Sequence, residues 1–368
     1  MFEVLRRVRE RILGPSESSV PVFDGAYTPN NLLEEASVHF ERAGLEDLAI
    51  AGDGSLFAAC GPEILRIESN GLSSVVAKFG AGVDALALLA DGGLAVAAGG
   101  RVLIEGGAGH GRELASFEGR PLLGVNAMHG SPDGKLLISD GSTRRPYSQW
   151  SHDLLEHGHT GRVLEYDPSR GSAKVLASGL RYCFGVYSNS GRIFASESWA
   201  HRIVELANNR ATTVMDGLPG YPARFSRAAG GGYWVSLFAG RTQLLEFILR
   251  ERDFREEMMR TVDPKYWYAP SLLSGKDFLE PQQTAGVMQM GIVKPWAPPR
   301  SYGIVIRLDA NLQPLYSLHS RVGGRHHGVV AVAEHGDDLF VLSKGAGCIL
   351  RLSLAALNAN LNDAGDRP

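Results

Sequence analysis

The chain has 368 residues, of which 44% are hydrophobic and 21% are charged, so it can bury a large core as one big all-β unit or as two ordinary domains. A formal net charge of −3 gives no basic field that could hold a phosphate backbone, which argues against nucleic acid as a partner and favours a small-molecule substrate. The three cysteines, Cys60, Cys183 and Cys348, are widely spaced without a CxxC pair, and this pattern fits a reducing compartment.

The first 13 residues, MFEVLRRVRERIL, mix arginine with apolar residues but lack the unbroken apolar run of a signal peptide. No stretch of the sequence approaches the ~20 apolar residues that span a bilayer, so we predict a cytoplasmic protein. The segment is predicted as an amphipathic helix that lies on the protein surface or frays, or that touches a membrane peripherally through its basic face.

A unit recurs along the chain, in which an Asp/Gly-rich turn leads into a short apolar run, a second turn and a second run. The copies are DGSLFAAC with ILRIES (53–69), DGGLAVAA with RVLIEG (91–106), DGKLLISD (133–140) with GRVLEYDP (161–168), SGRIFASES (190–198) with RIVELA, GGGYWVSLF (230–238), and GDDLFVLS (336–343) with CILRLSL. The first three copies start 38 and 42 residues apart, which is typical of a four-stranded propeller blade of ~40 residues. The sequence therefore predicts an all-β fold, a six-bladed β-propeller.

Two spacings are too long for a bare blade and predict insertions in blades three to four and five to six, at about 142–160 and 241–300. The first holds a short helical stretch, SQWSHDLLEH, and the second opens with the amphipathic TQLLEFILRERDFREEMMRTV before an apolar part typical of a lid or a partner surface. Because an open ring exposes edge strands, we expect strands from about residues 20–50 to complete the last blade. The predicted organisation is an N-terminal segment with a lead-in strand (1–40), one propeller domain (41–356) and a C-terminal tail (357–368).

Several stretches together resemble the strictosidine synthase-like proteins, relatives of the paraoxonases and gluconolactonases. GRVLEYDPSRGSAKVLASGL resembles their GR(L/V)xxYDP segment, SDGSTRRPYSQWSHDLLEHGHTGR their (T/S)DSST…DLLEG…TGR insertion, and GYPARFSRAAGGGYWVSLF their GxPDNxxRxxxGGxWV segment. The C-terminal AEHGDDLFVLSKGAGCILRLSL is similar to their final blade. The resemblance covers roughly residues 40–355 and implies the same six-bladed fold.

The resemblance also implies a calcium ion in the central channel, since hydrolytic members of this superfamily hold one there. Glu46, followed by Asp47, matches the acidic position of blade one, and Asn126 matches the Asn of the (A)ND(V) position. Glu46 and Asn126 are therefore the expected ligands of a reduced calcium site, completed by water or Asp47, because hard cations need several oxygen ligands.

Two further ligand positions of the family are absent. Phe184 stands at the Asn of FANGV, and PAR replaces PDN, which puts Ala223 and Arg224 there. We expect Arg224 to bring a permanent positive charge into the channel, pair with Glu46 and replace the structural role of the metal. An Arg224 that turns outward to solvent is the alternative.

Other residues are weaker candidates for chemistry. His326 and His327 precede the inner strand of the last blade, and His327 is a candidate general base, with turn histidines of no catalytic role as the alternative. Cys183 is a candidate channel residue, either a nucleophile or a small buried thiol. A zinc site in the first insertion stays open on three histidines, His152, His157 and His159. Val330 stands where the resemblance places the glutamate of strictosidine synthase itself, so that activity is not expected.

Two functions remain. The first is a hydrolase of a small lactone or ester, with uncertain metal dependence; its catalytic candidates are Glu46, Asn126, Arg224 and His327, and its substrate-contacting candidates are Asp47, Cys183, Phe184 and Tyr221. The second is a non-catalytic propeller that binds a small ligand or a protein partner through the 241–300 insertion. Loss of two ligand positions favours the second function, and retention of Glu46 and Asn126 favours the first. The sequence sets neither the substrate nor the oligomeric state.

Overall fold

The computed structural model describes residues 20–21, 23–274, 277, 279–281, 288–289, 292–293 and 300–365. The expected amphipathic helix at residues 1–13 and most of the apolar second half of the 241–300 insertion lie outside the described residues. Within the described part of the chain, no helix is long and apolar enough to cross a bilayer.

Six four-stranded antiparallel sheets form the blades of the propeller. Blade one contains β2 (Leu45–Ile50), β3 (Leu56–Cys60), β4 (Glu63–Ile67) and β5 (Ser73–Lys78). Blade two contains β6 (Val83–Leu88), β7 (Leu94–Ala98), β8 (Arg101–Glu105) and β9 (Glu113–Leu114). Blade three contains β12 (Val125–Gly130), β13 (Leu136–Asp140), β14 (Gly161–Asp167) and β15 (Ser172–Leu180).

The other half of the ring follows the same plan. Blade four contains β16 (Cys183–Asn189), β17 (Arg192–Glu197), β18 (Arg202–Ala207) and β19 (Arg210–Met215). Blade five contains β20 (Gly220–Arg227), β21 (Tyr233–Gly240), β24 (Gly303–Leu308) and β25 (Pro314–Ser320). Blade six contains β26 (Val329–His335), β27 (Asp338–Ser343), β28 (Cys348–Ser353) and, as its outermost strand, β1 (Ser37–Glu41).

The innermost strands β2, β6, β12, β16, β20 and β26 contact one another in ring order. The predicted six-bladed propeller is therefore confirmed. The ring closes where β1 pairs with β28, with Ser37 opposite Arg351 and Glu41 opposite Cys348. This pairing confirms that an N-terminal strand completes the last blade and removes an open edge.

The turn chemistry explains the repeat that the sequence displays. Gly54, Gly92 and Gly134 each follow an aspartate at the first hairpin of their blade and have φ of 82 to 85°, a conformation that glycine adopts without strain. The strands that follow alternate, as in β8, whose second and fourth residues are buried and whose ends are exposed. Apolar side chains of neighbouring blades consequently pack face to face around the ring.

The insertions lie at two hairpin ends. The first, between β13 and β14, holds a 3-10 turn (Tyr147–Gln149) and α1 (Trp150–Leu155). The second, between β21 and β24, holds α2 (Gln243–Ile248), α3 (Arg252–Thr261), a 3-10 turn (Pro264–Tyr266) and a short ribbon of β22 (Met288–Gln289) with β23 (Ile292–Val293).

Three smaller features complete the fold. The Thr242 side chain accepts from the Leu245 N–H and caps the N-terminus of α2. A ribbon of β10 (Ser116–Phe117) and β11 (Arg120–Pro121) links blades two and three, while 3-10 turns lie at Gly25–Tyr27 and Ser198–Ala200. The last described element is α4 (Leu354–Gly365).

Candidate functional site

Each innermost strand breaks register with the second strand of its blade near its N-terminal end. The residues skipped in the pairing are Glu46 in β2, Asp84 in β6, Asn126 in β12, Phe184 and Gly185 in β16, Tyr221, Ala223 and Arg224 in β20, and Val330 in β26. Such β-bulges leave local backbone groups unpaired within the ladder and free for other partners. Every blade therefore contributes at least one irregular position to the central channel.

Arg224 lies among these bulges with its side chain buried. Its Nη1 donates to the Glu46 carbonyl at 3.1 Å, and its Nη2 donates to the carbonyls of Asp84, at 3.1 Å, and Asn126. Its Cζ lies 5.1 Å from the centroid of the Phe184 ring. Arg224 thus points into the channel, as one of the two sequence-based alternatives requires, and does not turn outward to solvent.

Asp47 is the acid that faces this guanidinium, with its Oδ1 3.1 Å from the Arg224 Nε. The Asp47 carboxylate also accepts hydrogen bonds from the backbone N–H groups of Leu48 (2.8 Å) and Leu86 (3.0 Å). Complete burial raises the pKa of Asp47 to about 6, a shift that the charge of Arg224 and the two hydrogen bonds oppose only in part. Asp47, expected to contact substrate, is instead buried where it joins blade one to blade two. We call Arg224, the Asp47 carboxylate and the three carbonyls the central hub.

The calcium ion that the resemblance implies does not fit this arrangement. Calcium takes six to eight oxygen ligands, yet the guanidinium already binds the carbonyls of Glu46, Asp84 and Asn126. The Asn126 Nδ2 donates to the Cys183 carbonyl at 2.8 Å, and its Oδ1 has no hydrogen-bond partner among the described residues. Of the other side-chain oxygens at the channel, those of Glu46 bind the Lys344 ammonium and those of Asp84 interact with both Lys344 and Arg224. Two fixed positive charges beside these donors make a poor divalent site.

The carboxylate of Glu46 pairs with Lys344 and not, as expected, with Arg224. The Lys344 Nζ donates to the Glu46 Oε2 and to the Tyr147 hydroxyl, the latter at 3.3 Å, and lies 4.6 Å from the centroid of the Tyr147 ring. The side chains of Glu46 and Lys344 are 22% and 17% exposed, so solvent reaches them. Burial lowers the pKa of Lys344, but Tyr147 and Glu46 outweigh burial and raise it overall. Lys344 therefore stays an ammonium at neutral pH.

Asp84 is a site residue that sequence analysis missed. Burial, followed by the nearby negative charge of Glu46, raises the pKa of Asp84 to about 6, while Lys344 and Arg224 oppose the shift. A signal was present in the sequence, because GVD at 82–84 repeats GLE at 44–46 and GVN at 124–126. We call Glu46, Asp84, Tyr147 and Lys344 the mouth cluster.

An aromatic cluster fills the channel on the side of blades four and five. Phe184 and Tyr221 both pack against Phe238, at centroid distances of 5.7 and 5.5 Å, and Tyr221 also packs against Trp199 at 5.8 Å. Phe184 and Tyr221 were expected to contact substrate, yet both are buried in this cluster. They form packed core beside the mouth cluster.

Cys183 lies outside the channel, between blades three and four. Its thiol donates to the carbonyls of Asp140 (3.3 Å) and Arg162 (3.2 Å). Complete burial raises its pKa to about 12. The structure therefore fits the buried-thiol alternative, because the thiolate that a nucleophile needs is disfavoured.

His327 is buried at the junction of blades five and six, and its ring nitrogens are engaged. Its Nε2 lies 3.0 Å from the Arg321 carbonyl, which only accepts, so Nε2 carries the proton. Its Nδ1 then accepts from the Ser301 hydroxyl at 2.8 Å. His326 is likewise buried, with its Nδ1 2.7 Å from the Leu33 carbonyl. This geometry leaves His327 without a free nitrogen for the general-base role expected of it.

The histidines of the first insertion have separate partners. His152 packs edge-on against Trp267 at 4.5 Å between ring centroids, and the His157 Nε2 lies 2.8 Å from the Leu249 carbonyl. The His159 Nδ1 lies 3.2 Å from the His157 carbonyl. Within the described ranges, no group of three or more His, Cys, Asp or Glu side chains is arranged to hold a metal ion.

The sequence was also compared with those of known proteins. A strictosidine synthase family model matches residues 126–204. The chain is similar to adipocyte plasma membrane-associated protein of Salmo salar, with 26% identity over 294 residues that cover 68% of this chain and 70% of that protein. It is similar to the Bos taurus protein of the same name, with 28% identity over 278 residues, covering 65% and 66%. The chain thus spans about two thirds of the length of these relatives.

Among solved structures, a gluconolactonase from Xanthomonas campestris superposes with a TM-score of 0.56 at 15% identity, covering 86% of this chain and 88% of that one. Identity this low reports the fold alone. The family model matches residues 126–204 and the curated relatives are 26–28% identical, so these comparisons show that the chain is similar to the strictosidine synthase-like proteins, while the structural match shows a shared propeller fold.

Proposed function

We propose that this chain is a metal-independent hydrolase of a small ester or lactone, with its chemistry in the mouth cluster. One observation carries the proposal: the Lys344 ammonium contacts the Glu46 carboxylate and the buried Tyr147 hydroxyl where solvent reaches the channel, and the charges of Glu46 and Lys344 act on the Asp84 carboxyl. The structural neighbour from Xanthomonas campestris is a gluconolactonase, which makes lactones the substrate class to be tested.

Asp84 is assigned as the general base. With a pKa of about 6, it is mostly ionised at neutral pH and basic enough to take a proton from water. The hydroxide oxygen forms a bond to the carbonyl carbon of the substrate, and the carbonyl electron pair moves onto its oxygen. When the tetrahedral intermediate collapses, the C–O bond of the leaving alcohol breaks and Asp84 returns the proton to that oxygen. A lactone thereby opens to a hydroxy acid.

Lys344 and Tyr147 are assigned to the developing oxyanion. Lys344 is an ammonium held by Glu46 and by the Tyr147 ring, so little reorganisation is needed when the negative charge forms. Complete burial raises the pKa of Tyr147, so its hydroxyl stays protonated and can donate a second hydrogen bond. Glu46 acts as a positioning residue in this scheme, because it contacts the ammonium and not the substrate.

The test is hydrolysis of a panel of aryl acetates and five- and six-membered lactones by the full chain in EDTA. Asp84→Asn and Lys344→Met should each lower kcat/KM by roughly 100-fold or more. Lys265→Met is the matched control, because its Nζ also lies over a tyrosine ring, at 4.5 Å from Tyr266, but in an exposed position. Wild-type rates in both mouth variants, or no hydrolysis of any panel member by the wild type, would refute the proposal.

A non-catalytic propeller that binds a partner through the 241–300 insertion is the second candidate function. The observation that favours it is a set of exposed large apolar side chains on the described part of this insertion: Phe247, Phe254, Val262 and Leu279. Sedimentation velocity of the wild type and of a Phe247→Ser/Phe254→Ser variant tests whether a second copy is that partner. A wild type that stays monomeric up to high concentration would exclude self-association through this surface.

We also propose that the protein is located in the cytoplasm. Peripheral contact of residues 1–13 with a membrane is the alternative. The relatives carry a membrane-associated name. Fractionation of cells that express the full chain and a chain lacking residues 1–13 decides between the two, since only membrane contact predicts that the deletion moves protein from the membrane pellet to the supernatant.

A further inference from the structure

The central hub links more blades than any backbone pairing in the described chain, because each ladder joins strands within one blade. Arg224 belongs to blade five and binds the bulge carbonyls of blades one, two and three. Its guanidinium also packs on the Phe184 ring of blade four. Five of the six blades therefore meet at one side chain.

Blade six is joined to the ring by a second protein cation. The bulge residue of blade six, Val330, is apolar and buried, so it has no side-chain oxygen that could bind a cation. Lys344, which follows β27 of blade six, pairs with Glu46 of blade one instead. Cations of the chain itself thus join every blade at or near the axis.

We infer that the Arg224 guanidinium performs the structural work of a channel metal ion in this propeller, so that the fold requires no divalent cation. The hub is an environment made for positive charge, since three carbonyl oxygens and the Asp47 carboxylate converge on it. Without a cation these oxygens would face one another in a buried space, which is costly. The guanidinium also fills this space, so a metal ion cannot occupy it at the same time.

Arginine suits this role better than lysine would. A planar fork with five N–H donors can bind several separated acceptors at fixed angles, whereas an ammonium is a compact point charge with three donors. Here Nη1 and Nη2 serve three carbonyls and Nε faces the carboxylate. The charge of the guanidinium is permanent, so the cation of the hub depends neither on free calcium nor on pH.

The experiment combines metal analysis with thermal unfolding of the full-length chain. Wild type purified with calcium present is analysed for bound metal, and its Tm is measured in EDTA and in millimolar calcium. Arg224→Met keeps much of the side-chain volume but removes the charge, and Arg224→Lys keeps the charge without the fork. Arg192→Met is the matched control, because Arg192 also pairs with a carboxylate (Glu205) and packs on a ring (Phe194, 4.7 Å) but is exposed.

We expect less than one tenth of a calcium ion per wild-type chain and no Tm shift on calcium addition. Arg224→Met should lower Tm by at least about 5 °C, Arg224→Lys by less, and Arg192→Met by no more than about 2 °C. One bound calcium per wild-type chain, a calcium-dependent wild-type Tm, or an Arg224→Met Tm equal to that of the wild type would each overturn the inference. If Arg224→Met does not fold, the wild-type metal content and chelator response still decide it. Loss of hydrolysis in the mouth variants tests only the proposed activity, so the two ideas can fail separately.

Discussion

The central hub and the mouth cluster use the same bulge residues for opposite purposes. Glu46 and Asp84 give their backbone carbonyls to Arg224 in the hub, while their side chains form part of the partly exposed mouth cluster. In the hub, the opposite charges of Arg224 and Asp47 are paired and buried. In the mouth, the Lys344 ammonium contacts the Glu46 carboxylate and lowers the pKa of Asp84. A β-bulge therefore lets the main chain of a residue stabilise the fold while its side chain remains available for chemistry.

Substitutions next to the hub should lower the free energy of unfolding. Phe184→Ala removes the ring that packs on Arg224 and on the aromatic cluster. The expected loss is about 3–4 kcal/mol of unfolding free energy, from lost burial and a residual cavity. Urea unfolding followed by circular dichroism measures it. Phe254→Ala is the control, because that ring is 47% exposed. If both variants lose the same unfolding free energy, packing at the hub does not stabilise the fold.

In the mouth cluster, a substitution that abolishes activity should instead raise the free energy of unfolding. The pKa of Asp84 is about 6 in the folded chain and 3.8 without its environment, so folding favours the protonated form. This contribution to stability is fully present below about pH 4 and is lost as pH rises through 6. Asp84→Asn, which stays neutral, should therefore be more stable than wild type by about 1–3 kcal/mol at pH 7 and equal to it near pH 4.

Activity should follow pH in the other direction. The proposed base must be ionised, so wild-type kcat/KM should rise between pH 5 and 7 with an apparent pKa near 6. Chemical denaturation at several pH values and initial rates over the same range provide both measurements. A stability difference between wild type and Asp84→Asn that does not change with pH would show that the Asp84 carboxyl is not perturbed by burial.

The smallest effect is expected for Tyr147→Phe, a change in the mouth cluster that should affect activity and not stability. Tyr147→Phe removes the hydroxyl that lies 3.3 Å from the Lys344 Nζ but keeps the ring beneath the ammonium. Unfolding free energy should change by no more than about 1 kcal/mol, while kcat should fall roughly 10-fold with KM little changed, because the lost contact acts on the oxyanion. A change in KM alone would show that the Tyr147 hydroxyl binds the substrate and does not stabilise the oxyanion.

Local pattern was enough to predict the blades. Asp-Gly turns and alternating apolar runs report strands and hairpins within ~40 residues of sequence, and the structure confirms six of them. Closure by β1 could be predicted as well, because a ring of six blades must pair its outer edge. The same reasoning extends to Asp84, whose GVD repeats the GLE around Glu46 at blade spacing.

Partners across the ring could not be predicted in this way. The sequence indicated that Arg224 stands at a metal position, but not that its guanidinium would bind backbone carbonyls and leave the Glu46 carboxylate to Lys344. Lys344 comes from the turn after β27 and Tyr147 from the first insertion, 298 and 101 positions away from Glu46. Residue type and position near the channel made His327 and Cys183 candidates, whereas the burial and hydrogen bonds that remove them from catalysis depend on packing between blades.

The repeated blade and the replacement of two family ligand positions by Phe184 and Arg224 could be predicted from residues that are neighbours along the chain. Which charges pair and which remain partly exposed depends on contacts across the ring. Six strands from separate parts of the chain meet at one axis, and the free energy of a charge there depends on burial and on neighbours distant in sequence. That is why Arg224 can act as a structural centre while Asp84, close to it in blade two, is the candidate base.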